Sequence, residues 1–215
     1  FQRCAPLITV FAPFSAVAAF LPSPSKISTV IKGAHLWNGI KDPYLYRAVA
    51  SLTVNGEKVD EVSAEFGFRT YKVDPKKGFY LNGKLYPLRG VCRHQDRPHI
   101  GNALTKAEHD EDMALIKEIG ANTLRLAHYQ HDDYFYELCD RAGLVVWAEI
   151  PYISKHMKNG DDNAKSQMTE LILQQYNHAS IVFRGVSNEI TMMKTDKKDM
   201  LKTHRELNDL CHKLD

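Results

Sequence analysis

Four strand–helix units follow one another after residue 85, and that repeat limits the fold more than any other feature of the chain. Residues 86–92 read as a short apolar strand. Thr105-Lys106-Ala107-Glu108 is a capping box, and it opens a helix with Met113, Ile116 and Ile119 on one face and Gly120 at its end. Residues 122–127 form a second strand. Phe135, Leu138, Cys139 and Ala142 then recur at helical spacing and stop at Gly143. Residues 144–150 are a strand of the fully buried type, and Met168, Leu171, Ile172 and Gln175 share one side of the next helix. Residues 180–187 make a fourth strand, and Met200, His204, Leu207, Cys211 and Leu214 line a fourth helix. Alternating strands and helices with apolar strands predict a parallel sheet. A doubly wound sheet and part of a (β/α)8 barrel both fit that order. The first strand runs into Gly90-Val91-Cys92-Arg93-His94-Gln95 instead of a glycine-rich phosphate loop, which disfavours a dinucleotide-binding unit and favours the barrel. Four strands make half of one.

Upstream the period is two. Tyr46, Ala48, Ala50, Leu52 and Val54 alternate with mostly polar neighbours, Asn55-Gly56 supplies a hairpin turn, and Val62, Ala64, Phe66 and Phe68 alternate again. This predicts an antiparallel hairpin from a β-sandwich over 26–71, with the barrel portion over 72–215. A tighter hairpin is expected around Asn82-Gly83. Residues 1–25 are an apolar segment ending in the break Pro22-Ser23-Pro24-Ser25. Its small-residue stretch resembles a secretory signal, and a chain beginning inside a longer protein accounts for it equally. With 28 basic and 26 acidic residues the net charge is +2, so no strong field draws the chain to nucleic acid, and no run of about 20 apolar residues offers a membrane span. Cys4, Cys92, Cys139 and Cys211 form no CxxC pair and are expected to be buried free thiols.

Functional groups of a βα barrel gather at the C-terminal ends of its strands. Those ends here carry Arg93-His94-Gln95-Asp96, Arg125 with His128-Tyr129, Trp147 with Glu149, and Asn188-Glu189. Each has a bland alternative: Glu189 as a cap, His94 and His128 as structural histidines, Trp147 as core, Glu149 as support for a neighbour. Arg125 resists one, because a guanidinium inside a barrel strand demands an anionic or multiply accepting partner. The run Lys194, Lys197, Lys198, Lys202 is interleaved with Asp196 and Asp199 and reads as a solvated helix face.

The stretch from Asn122 through His128-Tyr129 to Trp147 resembles the first signature of glycoside hydrolase family 2, and Asn177 through Asn188-Glu189 resembles the acid/base signature. Phe66-Gly-Phe-Arg69, Asn82-Gly83 and Arg89-Gly-Val-Cys-Arg-His-Gln-Asp96 keep the same order. The resemblance implies the first half of a (β/α)8 TIM barrel preceded by the last strands of an immunoglobulin-like β-sandwich. It implies a retaining hydrolase of terminal β-galactosides, with β-glucuronidase activity or a non-catalytic carbohydrate-binding or interaction module as the alternatives.

By position, Glu189 matches the general acid/base, Asn188 the partner of the sugar 2-hydroxyl, and Arg125 the arginine that keeps the nucleophilic carboxylate ionised. His128 and His94 match histidines of the sugar subsite, and Trp147 is the candidate sugar platform. The resemblance puts the nucleophile beyond residue 215, so the chain alone is expected to turn over negligibly; separately, the full-length protein is expected to be a homo-oligomer. Gln130, Leu126 and Arg184 depart from the pattern, and Arg184 sets a second cation in a barrel strand. Ile153-Ser154-Lys155 stands where some relatives bind magnesium, so no metal and no cofactor is expected. The compartment, periplasmic or cytoplasmic in a bacterium, stays open.

Overall fold

A computed structural model of the protein describes residues 29–215; the apolar N-terminal segment with its proline–serine break, and Cys4, lie outside the described residues. The chain divides between His35 and Leu36, and the architecture that positions the site is that of Leu36–Asp215.

Strands β1 (Tyr46–Val54) and β2 (Glu57–Phe66) pair antiparallel with a register irregularity at Leu52/Thr53. Asn55 and Gly56 take φ of 52° and 87°, the left-handed pair that a two-residue hairpin turn requires. Tyr46 lies opposite Phe66, and their rings stack with centroids 5.7 Å apart. Most of both strands is exposed.

Strands β3 (Tyr71–Asp74), β4 (Gly78–Leu81) and β5 (Lys84–Leu85) form a second antiparallel sheet, turning at Asn82-Gly83. Phe79 and Leu81 from this sheet bury with Trp37, Val145, Ala179 and Val182. The small sheet therefore seals the starts of the third and fourth barrel strands.

The main sheet is parallel, in the order β6 (Gly90–Arg93), β7 (Thr123–Leu126), β8 (Val145–Glu149), β9 (Ile181–Gly185). Four helices follow in step: α1 (Lys106–Glu118), α2 (Asp133–Ala142), α3 (Asp161–Gln174) and α4 (Lys197–Leu214). This is the first half of a (β/α)8 barrel. The first strand is shorter than its apolar run because the Tyr86 N–H is spent on Phe79 and Pro87 has no N–H to give.

Register sorts the side chains. Cys92, Arg125, Trp147 and Phe183 lie in one row across the sheet, and Arg93, Leu126, Ala148 and Arg184 in the next. Leu126 and Ala148 pack with Met168, Leu171 and Leu207 of the helices, so the second row faces the helix layer and the first faces the barrel axis.

Two expectations about burial need correction. Ile119 is not on the buried face of α1 with Met113 and Ile116: it caps the helix, is 63% exposed, and hands over to Gly120 at φ 73°. Cys92 is exposed, because it belongs to the axial row; Cys139 is buried and Cys211 half-buried. Arg184 belongs to the helix-facing row and pairs with Asp215 at 2.5 Å, so its charge does not enter the axial face.

Gly143 ends α2 at φ 74°, and a Cβ there would stand 2.3 Å from the carbonyl of Gly39. Gly143→Ala is expected to cost about 2–4 kcal/mol, the sum of left-handed strain and a backbone clash, as read by urea denaturation.

Candidate active site

Glu149, the last residue of β8, is 1% exposed and has both carboxylate oxygens fully committed. Oε2 accepts from Arg125 Nε and from the Trp147 indole N–H, each at 3.1 Å. Oε1 accepts from Arg125 Nη2 at 3.1 Å and meets His128 Nδ1 at 2.5 Å. A buried carboxylate is tolerable only when its lone pairs are satisfied in this way. The two-pronged contact answers what Arg125 pairs with. Burial works against its charge, but the Glu149 carboxylate outweighs that and raises its pKa above the ordinary arginine value.

Arg125 also reaches Asn188, with Nη2 donating to Oδ1 at 2.7 Å. One guanidinium thus ties the ends of three strands together. Gly185 makes room for the arrangement, since a Cβ on it would fall 2.4 Å from the Trp147 indole nitrogen and 2.8 Å from Glu149 Cβ. The Trp147 ring lies 5.8 Å from that of Phe183 and is 41% exposed, presenting an aromatic face toward the axis.

His128 and His94 meet edge to face with centroids 5.1 Å apart, and Tyr129 lies 6.1 Å from His94. The Tyr129 hydroxyl accepts the Gln95 N–H at 3.0 Å, which joins the loops after β6 and β7. Of the residues singled out by sequence, Arg125, His128, Trp147 and Asn188 therefore converge on Glu149 or on its arginine, and His94 joins through His128.

Glu189 follows Asn188 in the chain. Its backbone is left-handed at φ 51°, and its side chain is exposed. Its backbone carbonyl accepts the Met192 N–H at 3.0 Å. Among the described residues its carboxylate takes no hydrogen bond or ion pair, unlike that of Glu149.

Arg93 departs from the expected rim. It points into the helix layer, where Asp112 on α1 accepts from Nε and Nη2 at 2.9 and 2.7 Å. The same guanidinium donates to His109 Nδ1 and His131 Nδ1 at 3.0 and 3.1 Å and covers the Phe135 ring at 3.7 Å. His131 in turn donates from Nε2 to the Ala127 carbonyl, the residue before His128. No local sequence pattern reveals this buried support. His109 falls four residues, about one helical turn, ahead of Met113 on the buried face of α1, and a polar residue there signals nothing until β6 and the loop after β7 are folded against the helix.

No group of three or more His, Cys, Asp or Glu converges to hold a metal among the described residues, and no described helix is long and apolar enough to cross a membrane.

Residues 72–211 match the family described as "Glycosyl hydrolases family 2, TIM barrel domain", and residues 10–69 match "Glycosyl hydrolases family 2". The chain belongs to glycoside hydrolase family 2. A β-glucuronidase of Bacteroides fragilis is 43% identical over 199 residues, 88% of this chain and 28% of that protein. A β-galactosidase of Thermoanaerobacter pseudethanolicus is 35% identical over 178 residues, 80% of this chain and 23% of that protein. Among solved structures, the FMN-binding β-glucuronidase from Facaelibacterium prausnitzii L2-6 superposes with a TM-score of 0.84 at 48% identity, covering 89% of this chain and 30% of that one. The chain spans less than a third of the length of these relatives.

Burial is the main cause that drives the His131 pKa down to about 3, and it lowers that of His109 as well. Folding therefore prefers the neutral rings. Their contribution to stability is present above pH 6.5 and is lost as pH falls toward 3, by up to about 1.4 kcal/mol per pH unit for each proton that the unfolded chain takes up and the folded one refuses. His131→Gln is expected to flatten the pH dependence of the urea midpoint between pH 4 and 6.5; an unchanged slope would remove His131 from that linkage.

Proposed function

We propose that residues 36–215 carry the acid/base half of a retaining β-glycosidase centre, and that the whole protein releases terminal β-D-glucuronic acid from glucuronides. The observation that carries the catalytic reading is the link from Glu149 through Arg125 to Asn188, which fixes the residue beside the uncommitted Glu189 carboxyl.

Arg125 occupies Asn188 Oδ1, so the amide NH2 is left to donate to the sugar. Its partner is the 2-hydroxyl, a contact that strengthens as positive charge develops at the anomeric carbon. Glu189, protonated at the outset, gives its proton to the glycosidic oxygen as the bond to the anomeric carbon breaks. A second carboxylate attacks that carbon and holds the sugar as a glycosyl ester. Glu189, now ionised, takes a proton from the water that displaces it. Glu149 is unsuited to the nucleophile's part because all its acceptor positions face protein donors, so that carboxylate comes from outside residues 36–215. Trp147 offers its face to sugar C–H groups, and His94 and His128 edge the same subsite.

The substrate preference rests on the relatives. β-Glucuronidases stand at 43% and 39% identity, which favours the glucuronide over the galactoside first suggested by the sequence. β-Galactosidases at 35% and 31% keep the galactoside as the second reading. The homo-oligomer expected for the full-length protein belongs to the same proposal.

The test is hydrolysis of aryl β-glucuronide, β-galactoside and β-mannoside by the full-length gene product and by the 215-residue chain. The full-length protein is expected to favour the glucuronide, and the chain alone to show negligible turnover. Glu189→Ala in the full-length protein is expected to lose about 10²–10⁴-fold on phenyl glycosides and much less on 2,4-dinitrophenyl glycosides, with azide restoring turnover. Silence of the full-length protein on all three sugars would overturn the catalytic reading in favour of a carbohydrate-binding module.

A further inference from the structure

The backbone that presents Glu189 is held from behind by a second network that shares no side chain with the Glu149–Arg125 link. After β8 the chain forms a strap over residues 150–156. Its Tyr152 carbonyl accepts the Asn188 N–H at 2.9 Å, and its Ser154 N–H donates to the Asn188 carbonyl at 3.0 Å. Ile153 and Asn188 thereby form a parallel bridge. Two non-glycine residues in the left-handed region flank that bridge, Ser154 at φ 62° and Glu189 at φ 51°. Such conformations persist only where the surroundings over-determine them.

The strap is tied to α4. His156 is 5% exposed; its Nδ1 meets the Tyr152 hydroxyl at 2.5 Å and its Nε2 meets Asp199 at 2.9 Å. Burial pushes the Tyr152 hydroxyl up to about 12, so it keeps its proton and donates to Nδ1, and the Nε2–H donates to the carboxylate. The same helix face grips the other side of the bridge. The His204 ring lies tilted against that of Tyr152 with centroids 5.8 Å apart; His204 accepts from the Ser187 hydroxyl at 2.8 Å and donates from Nδ1 to the Met200 carbonyl. Ser187 is the residue before Asn188. One end of α4 thus holds both backbones that frame the acid/base.

We infer that Tyr152, His156 and Asp199 act as positioning residues for Glu189, locking the strap so that the carboxyl meets the glycosidic oxygen rather than solvent. The inference rests on the acid/base reading of Glu189, and its consequence is specific: loosening the lock impairs proton delivery and leaves sugar binding and bond polarisation in place.

The experiment compares kcat/KM on phenyl and 2,4-dinitrophenyl glycosides of the preferred sugar, using the full-length protein with Tyr152→Phe, Asp199→Ala and Asp199→Asn. Phenyl glycosides need the proton, and dinitrophenyl glycosides leave without it. Tyr152→Phe and Asp199→Ala are expected to lose about ten- to a hundredfold on the phenyl glycoside and less than about twofold on the dinitrophenyl one. Asp199→Asn, which still offers an oxygen to the His156 N–H, is expected to restore most of the phenyl activity.

Equal losses on both substrates, accompanied by a lowered melting temperature, would make the network merely structural and overturn the inference, as would no loss on either. Glu189→Ala, run beside them, separates the two readings. If it shows no dependence on the leaving group, the acid/base assignment fails. If it shows that dependence and the strap variants do not, only the positioning role fails.

Discussion

The site depends on one buried ion pair. Glu149 is removed from water at the end of β8, and the cost of burying its charge is offset only because four contacts from three residues converge on it. Taking any donor away would leave a charge buried and short of partners, which is costlier than never having buried it. The pair therefore fixes more than its own two residues. It sets the Trp147 indole, the His128 ring and, through the arginine, the Asn188 amide. It also forbids a side chain at Gly185, directly across the sheet from Glu149.

A contrast between two glutamates follows. Glu149 ends β8 and Glu189 lies in the segment that follows the adjacent strand β9. Glu149 is saturated and sealed, so it can only orient other groups. Glu189 is exposed and uncommitted, with its backbone in a conformation that its neighbours must enforce. A group that exchanges protons with a substrate needs that freedom at the carboxyl and that restraint at the backbone. The supports are layered accordingly: Arg93 with His109 and His131 beneath the loop after β7, and α4 beneath the strap after β8 and the Ser187–Asn188 segment.

Much of this was legible before folding. The capping box at Thr105 and Glu108, the glycine at 143 and the Asn-Gly turns at 55 and 82 are local instructions, and each is seen in the structure. Strand ends are less legible, because Tyr86 answers to Phe79 across a sheet boundary that no local pattern reveals. Ile119 leaves the buried face for a related reason: helical period says which face a residue would share, not that the helix has already ended.

The sequence by itself determined that this chain alternates strand and helix, that polar groups cluster at the strand ends, and that Arg125 must find an anion. These follow from periodicity and from the cost of burying charge, which act residue by residue. Only the tertiary structure decided which anion Arg125 found, which way Arg93 and Arg184 point, and which glutamate stays free. Those outcomes depend on inter-strand register, where a shift of one residue exchanges the axial row for the helix-facing row, and register is set by contacts between segments far apart in the chain.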